Sequence, residues 1–246
     1  MMELVMELIM AVLRRAHVVA GACGLLLFWL PIFSRKGAPL HRRAGRYFLI
    51  CVQVIGVTSL ASVALRMGTE LMQGRSPSAL PLFGFMVLLA YLGVTVLVSA
   101  WYMRHVLRYK TDLQGLRRPM AWALVAISAA SSVVLLAVAI GLPSSANVLL
   151  YALSPLGLLN SWTMRRHLRQ PEREPRAWFF EHMGHGIGLG IAFHAAFFVF
   201  GARAAFDQWL VGFWGVLPWL APVLIGVTAN ILWERHYRRR WAQALT

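Results

Sequence analysis

Seven apolar stretches, each long enough to cross a bilayer, divide this chain, and the arginines gather in every second gap between them. A hydrocarbon core of about 30 Å takes about 20 apolar residues per helix. The stretches fall at roughly 16–34, 45–65, 80–103, 119–142, 146–164, 183–202 and 214–233. The expected fold is therefore all-α: one transmembrane domain over residues 1–246, a bundle of seven spanning helices. Composition agrees. The chain is 59% hydrophobic and 13% charged, against about 25% charged in a soluble domain. No soluble core of this size hides so much apolar surface, whereas lipid does.

The net charge of +15 does not point to nucleic acid, because the basic residues sit at span ends and in short loops. The first, third and fifth loops and the C-terminal tail together hold 19 of the 24 lysines and arginines. The other side holds Arg14, Arg15, Arg66, Arg75 and Arg203. The positive-inside rule then places the N-terminus outside and the C-terminus in the cytoplasm, with Arg14 and Arg15 pulling weakly the other way. The expected location is the plasma membrane of the cell, the inner one where there are two. Residues 1–13 carry Glu3 and Glu7 instead of a basic leader, with no small-residue cleavage site after them. This segment reads as an extension of the first helix or an interfacial piece, not as a signal peptide. Cys23 and Cys51 both fall inside apolar spans and read as buried small hydrophobes.

Turn and anchor signals fit the same frame. Residues 143–147 read as a tight outer turn between spans four and five. Pro171 and Pro175 bar a continuous helix in the longest inner loop. Trp178, Phe179 and Phe180 read as interfacial anchors. Ser154-Pro155, Pro218 and Pro222 each free a backbone carbonyl within a span.

Histidine carries what chemistry is visible. Six of the eight lie at cytoplasmic span ends under this topology: His41, His105, His167, His182, His185 and His236. His182 and His185, three apart, share one helix face, and imidazoles so spaced chelate a metal or flank a haem. With His41 they form the candidate metal set. The plainer reading is contact with lipid phosphate. His194 lies about eleven residues into span six, roughly 16 Å deep, where an ionisable side chain is a functional candidate by default. Its structural alternative is one hydrogen bond to Gln53, Asn160 or Asn230 on a neighbouring helix. His17 heads a helical face with Gly21, Gly24 and Phe28 that admits either another helix or a flat cofactor. His17 and His194 are thus the candidate cofactor ligands. Gly184/Gly188 and Gly186/Gly190 are two small-residue pairs on different faces of span six. Arg42 and Arg43 are expected at headgroup level, holding anionic lipid phosphate or a helix C-terminus. Paired mid-span carboxylates of the kind glycosidases or proteases use are absent from the sequence.

The run from His41 to Tyr47, HRRAGRY, preceded by Lys36-Gly37 and a first span containing His17, resembles a family of uncharacterised bacterial multi-pass membrane proteins, a domain of unknown function. That family's pattern is a histidine in span one, a Lys-Gly turn, then His-Arg-x-x-Gly-x-x-Tyr opening span two. Here Tyr47 follows Gly45 by two, one earlier than in the pattern. The opening of span six, His182 through Gly188, and Leu217 through Pro222 in span seven are similar to longer members. The resemblance implies the fold and points to His17, His41 and His182; it implies no activity. Three functions stay open: a redox-associated protein holding haem b or a divalent metal through histidines, a small-solute or ion transporter using His194, Gln53 and the kinked helices, or a structural or assembly subunit without a site. A membrane-protein partner or homo-oligomer fits any of them.

Overall fold

The computed structural model describes residues 1–76, 78, 80, 82–142, 147–170, 176–202 and 217–243. They form helices throughout: α1 (Met2–Phe33), α2 (Pro39–Met72), α3 (Phe83–Arg108), the single turn α4 (Leu113–Leu116), α5 (Pro119–Gly141), α6 (Asn147–Leu153), α7 (Pro155–Leu168), α8 (Ala177–Ala196) and α9 (Leu217–Gln243). A π turn, Phe197–Gly201, continues α8. Most of the outer turn anticipated at 143–147, Pro171, Pro175 and Arg203 lie outside the described residues.

Among the described residues five helices are long and apolar enough to cross a membrane: Leu4–Phe33, Pro39–Met72, Phe83–Arg108, Pro119–Gly141 and Ala177–Gly201. Several helices are longer than the apolar stretches, because polar residues at a span end do not break a helix. Thus α1 runs through Glu7, Arg14 and Arg15, and α2 continues to Met72. Pro39 begins α2, where its missing N–H costs nothing. The fifth apolar stretch differs most. It is two pieces, α6 and α7, parted at Ser154.

Tyr91 of α3 repairs that break. Its hydroxyl accepts from the Gly157 N–H at 2.7 Å and donates to the Leu153 carbonyl at 2.9 Å. The phenol oxygen thus replaces the Gly157-to-Leu153 rung of the helix, in a setting without water to do so. Ser154 Oγ donates to the Tyr151 carbonyl, the one that Pro155 leaves without its helical donor. Gly157 fits here because a Cβ would strike the Ser128 carbonyl and Ser132 Oγ of α5.

Helix α3 is the central post. It packs against α2, α5 and α8 and contributes to each of three apolar clusters, through Tyr102 and Val106, through Val96 and Met103, and through Leu88 and Tyr91. Around it α1 lies on α2, α7 on α5, and α9 on α8. The α1–α8 crossing is reciprocal: the Phe193 ring fills the place of a Cβ at Gly24, and the Phe28 ring fills that at Gly190. Of the two anticipated small-residue faces on α8, that of Gly186 and Gly190 is packed, against Met103 and Phe28. Nothing described approaches Gly184 or Gly188. Large side chains such as Leu26, Ile140 and Ile225 point outward, so the bundle presents an apolar girdle to lipid. Cys23 and Cys51 are free; Cys23 is exposed on that girdle and Cys51 half-buried.

Candidate histidine site

The α1–α2 turn builds the first half of the site. The last turn of α1 leaves carbonyls without helical donors. Lys36 Nζ donates to the Pro31 and Ile32 carbonyls at 2.9 Å each, and His41 Nδ1 reaches the Pro31 carbonyl at 3.2 Å. Gly37 takes the left-handed conformation, φ 77°, that brings Lys36 back over the helix end. Lys36 also lies over the Trp233 ring of α9, 5.9 Å from its centre, and partial burial pushes its ammonium below the ordinary lysine pKa. The Lys-Gly turn and the histidine opening α2 are therefore one capping device, which holds the His41 ring in place.

The second half comes from α8. His182 stands beside His41, ring centres 6.4 Å apart, and its Nδ1 faces the Met103 carbonyl of α3 at 3.4 Å. A carbonyl only accepts, so Nδ1 carries the proton in both rings, and each neutral imidazole presents a bare Nε2. Among the described residues neither Nε2 makes a hydrogen bond. This is the arrangement in which a backbone carbonyl orients a ligating histidine. Two metal–nitrogen bonds of about 2.0–2.1 Å, with a ring radius added at each side, put imidazole centres about 6 Å apart; the pair has that spacing.

His185, grouped with these two in the sequence, turns elsewhere. It is buried, its ring centre 4.9 Å from that of Tyr102 and its Nε2 3.9 Å from Glu181 Oε2. Tyr102 Oη in turn shares a 2.7 Å hydrogen bond with His167 Nδ1 of α7. A row of acid–base groups, half-buried Glu181 and buried His185, Tyr102 and His167, thus runs beside the pair. His105 stacks on Trp101 and bonds its carbonyl, and His236 packs edge-on against Tyr237. Among the described residues no three of His, Cys, Asp and Glu are grouped to hold a metal ion. Among the described residues two nitrogens are the whole protein donor set at the pair. That number suits haem, whose macrocycle supplies the other four ligands, better than zinc, which takes four from its surroundings.

The other two candidate ligands sit apart. His17 Nδ1 bonds Thr58 Oγ1 of α2 at 3.0 Å, and the Thr58 hydroxyl donates to the Val54 carbonyl. The His194 ring packs edge-on between Phe28 and Trp29 of α1. Its partner is none of the three amide side chains anticipated but the Gly190 carbonyl of its own helix, at 2.7 Å. Phe28 lies eleven residues along α1 from His17, about 16 Å, so the two imidazoles do not share one ligand. Asn160 instead faces Ser99 and Ser128.

Arg42 and Arg43 are exposed on the first turns of α2, with no ion pair among the described residues. The helix-capping role goes to Arg117, which donates to the Leu168 and Gln170 carbonyls at the end of α7. At the opposite end of the bundle Glu70 is buried and pairs with Arg75 at 2.7 Å and Arg66 at 3.7 Å. Two of the arginines on the sparsely charged side are thereby matched by a carboxylate. Phe179 and Phe180 pack on Tyr237 and Trp241 of α9, and Arg176 lies over the Trp241 ring. They clasp α8 and α9 together.

The chain matches no family model, no curated protein and no solved structure.

Proposed function

We propose that the protein is a seven-span plasma-membrane protein that holds a metal-centred cofactor between His41 and His182 at its cytoplasmic end, in a redox-associated role. Haem b is the cofactor favoured by a two-nitrogen donor set; a divalent metal completed by water is the lesser form. The observation that carries the reading is the pair itself: both Nδ1 atoms face carbonyls, neither Nε2 makes a hydrogen bond among the described residues, and the ring centres lie 6.4 Å apart. On this reading α6 with α7, and α9, are the two crossings beyond the five long apolar helices. The arginine-rich ends face the cytoplasm, with Arg42 and Arg43 at the level of anionic headgroups. The resemblance to the uncharacterised bacterial membrane family fits, because its Lys-Gly turn and histidine are the residues that set the His41 ring.

The test is direct. Protein expressed with iron and haem precursor, then purified in mild detergent, should carry redox-sensitive visible bands with about one haem per chain, or else one bound transition metal by elemental analysis. Colourless protein without stoichiometric metal would overturn the proposal.

A further inference from the structure

A second feature has no part in the histidine site. A recess of about 320 Å³ opens sideways between α2, α3 and α5, lined by Gln53, Leu60, Val94, Leu97, Trp101 and Ile127 among others, with no charged side chain. Its size is at the lower end of small-molecule sites. Gln53 is exposed there, eleven residues along α2 from Arg42, about 16 Å from the headgroup level and so near the bilayer centre. Among the described residues its carboxamide makes no hydrogen bond. Neither does the Trp101 indole N–H, whose ring is fixed by stacking on His105 at 3.7 Å. Hydrocarbon offers these groups no partner, and polar groups left so are costly.

What fits must be neutral, must reach mid-membrane, and must bring a hydrogen-bond acceptor. A phospholipid meets the first two conditions with its acyl chains, but its ester carbonyls stay at the interface. A second copy of the chain fills the space only by placing a polar side chain of its own against Gln53, an occupant that the oligomeric mass distinguishes below. We propose that the recess binds a lipid-soluble carbonyl compound, by chemical class a membrane quinone, with the Gln53 amide N–H and the Trp101 indole N–H donating to its carbonyl oxygens. The proposal depends on neither His41 nor His182.

The experiment uses the full chain in phospholipid nanodiscs and an aryl-azide derivative of a decyl-benzoquinone. After photolysis, peptide mapping should show saturable labelling on α2, α3 or α5, competed by unlabelled decyl-benzoquinone. Gln53→Leu and Trp101→Phe should each weaken the competition about two- to tenfold, the range of one net hydrogen bond. Ile127→Trp, placed at an exposed edge of the recess, should abolish it. All three keep apolar surface toward lipid, so a native elution profile is the check on folding. Labelling that does not saturate, that maps to other helices, or that keeps its affinity in Gln53→Leu and Trp101→Phe overturns the proposal. So does a fall in oligomeric mass with Gln53→Leu, which would give the amide to a second copy.

Discussion

Replacing Tyr91 with Phe removes one oxygen from the centre of the bundle and leaves two backbone groups without partners. In the wild type that oxygen bridges the Gly157 N–H at 2.7 Å and the Leu153 carbonyl at 2.9 Å, on a residue 3% exposed. Orphaning a buried polar group costs about 1–3 kcal/mol. Interhelical hydrogen bonds in membranes average only about 0.6 kcal/mol, because unfolded helices in lipid find other partners. Two such averages set a floor of about 1 kcal/mol. These two groups flank a helix break that Pro155 opens and that Ser128 Oγ holds from α5 by donating to the Gly157 carbonyl at 2.9 Å, so a loss of about 2–3 kcal/mol is expected. Tyr151→Phe is the control. Its hydroxyl makes one bond, to the Ala139 carbonyl, which Asn147 Nδ2 also donates to, and the residue is 46% exposed. That loss should stay within about 0.5 kcal/mol. Reversible unfolding of the purified protein by increasing SDS in mixed micelles measures both. A Tyr91→Phe loss no larger than the control would refute the idea that the phenol substitutes for a helix rung.

Gly190→Val puts methyls where the Phe28 ring lies, so α1 should part from α8, with a destabilisation of about 1–3 kcal/mol from overpacking; the same unfolding titration reads it, and an unchanged midpoint would show that the rings move aside freely. Replacing both Arg42 and Arg43 with Gln should lower the yield of inserted protein while leaving cofactor content per folded chain intact; complete cofactor loss with normal insertion would place them in the site. For topology, a single cysteine introduced at Ser145 in a Cys23/Cys51-free chain should react with an impermeant maleimide in intact cells, and reaction only after permeabilisation would invert the orientation.

How much of this was visible in the residues depends on distance along the chain. Helix positions followed from local composition, and so did the crowding of histidines at the arginine-rich end. The break at Ser154-Pro155 was legible as a kink, because a proline announces its missing donor. Tyr91 was not, since a tyrosine in an apolar run looks like any other lipid-facing or core residue, and its partners lie more than sixty residues away. The same holds for Tyr102 and His167. The three-residue spacing put His182 and His185 on one face, yet α8 tilts the first toward His41 and the second toward Tyr102. In the sequence, a mid-span His194 asks for a partner on another helix; a histidine also reaches back four residues to its own helix, and here Gly190 leaves room beside that carbonyl for Phe28 as well. Glu70 gives no signal in the sequence, because a carboxylate near a span end is ordinary; its burial and its two arginines appear only with the fold.

Two imidazoles, His41 and His182, are proposed to hold the cofactor. Cofactor content of the purified single variants His41→Ala, His182→Ala, His185→Ala and His17→Ala tests it most directly, with added imidazole as the rescue. His41→Ala and His182→Ala should each lose the bound cofactor, and imidazole should restore the spectrum, while His185→Ala and His17→Ala keep it. Retention in both His41→Ala and His182→Ala, with loss in His17→Ala or in His194→Leu, would move the site to α1 and the middle of α8 and contradict the pairing.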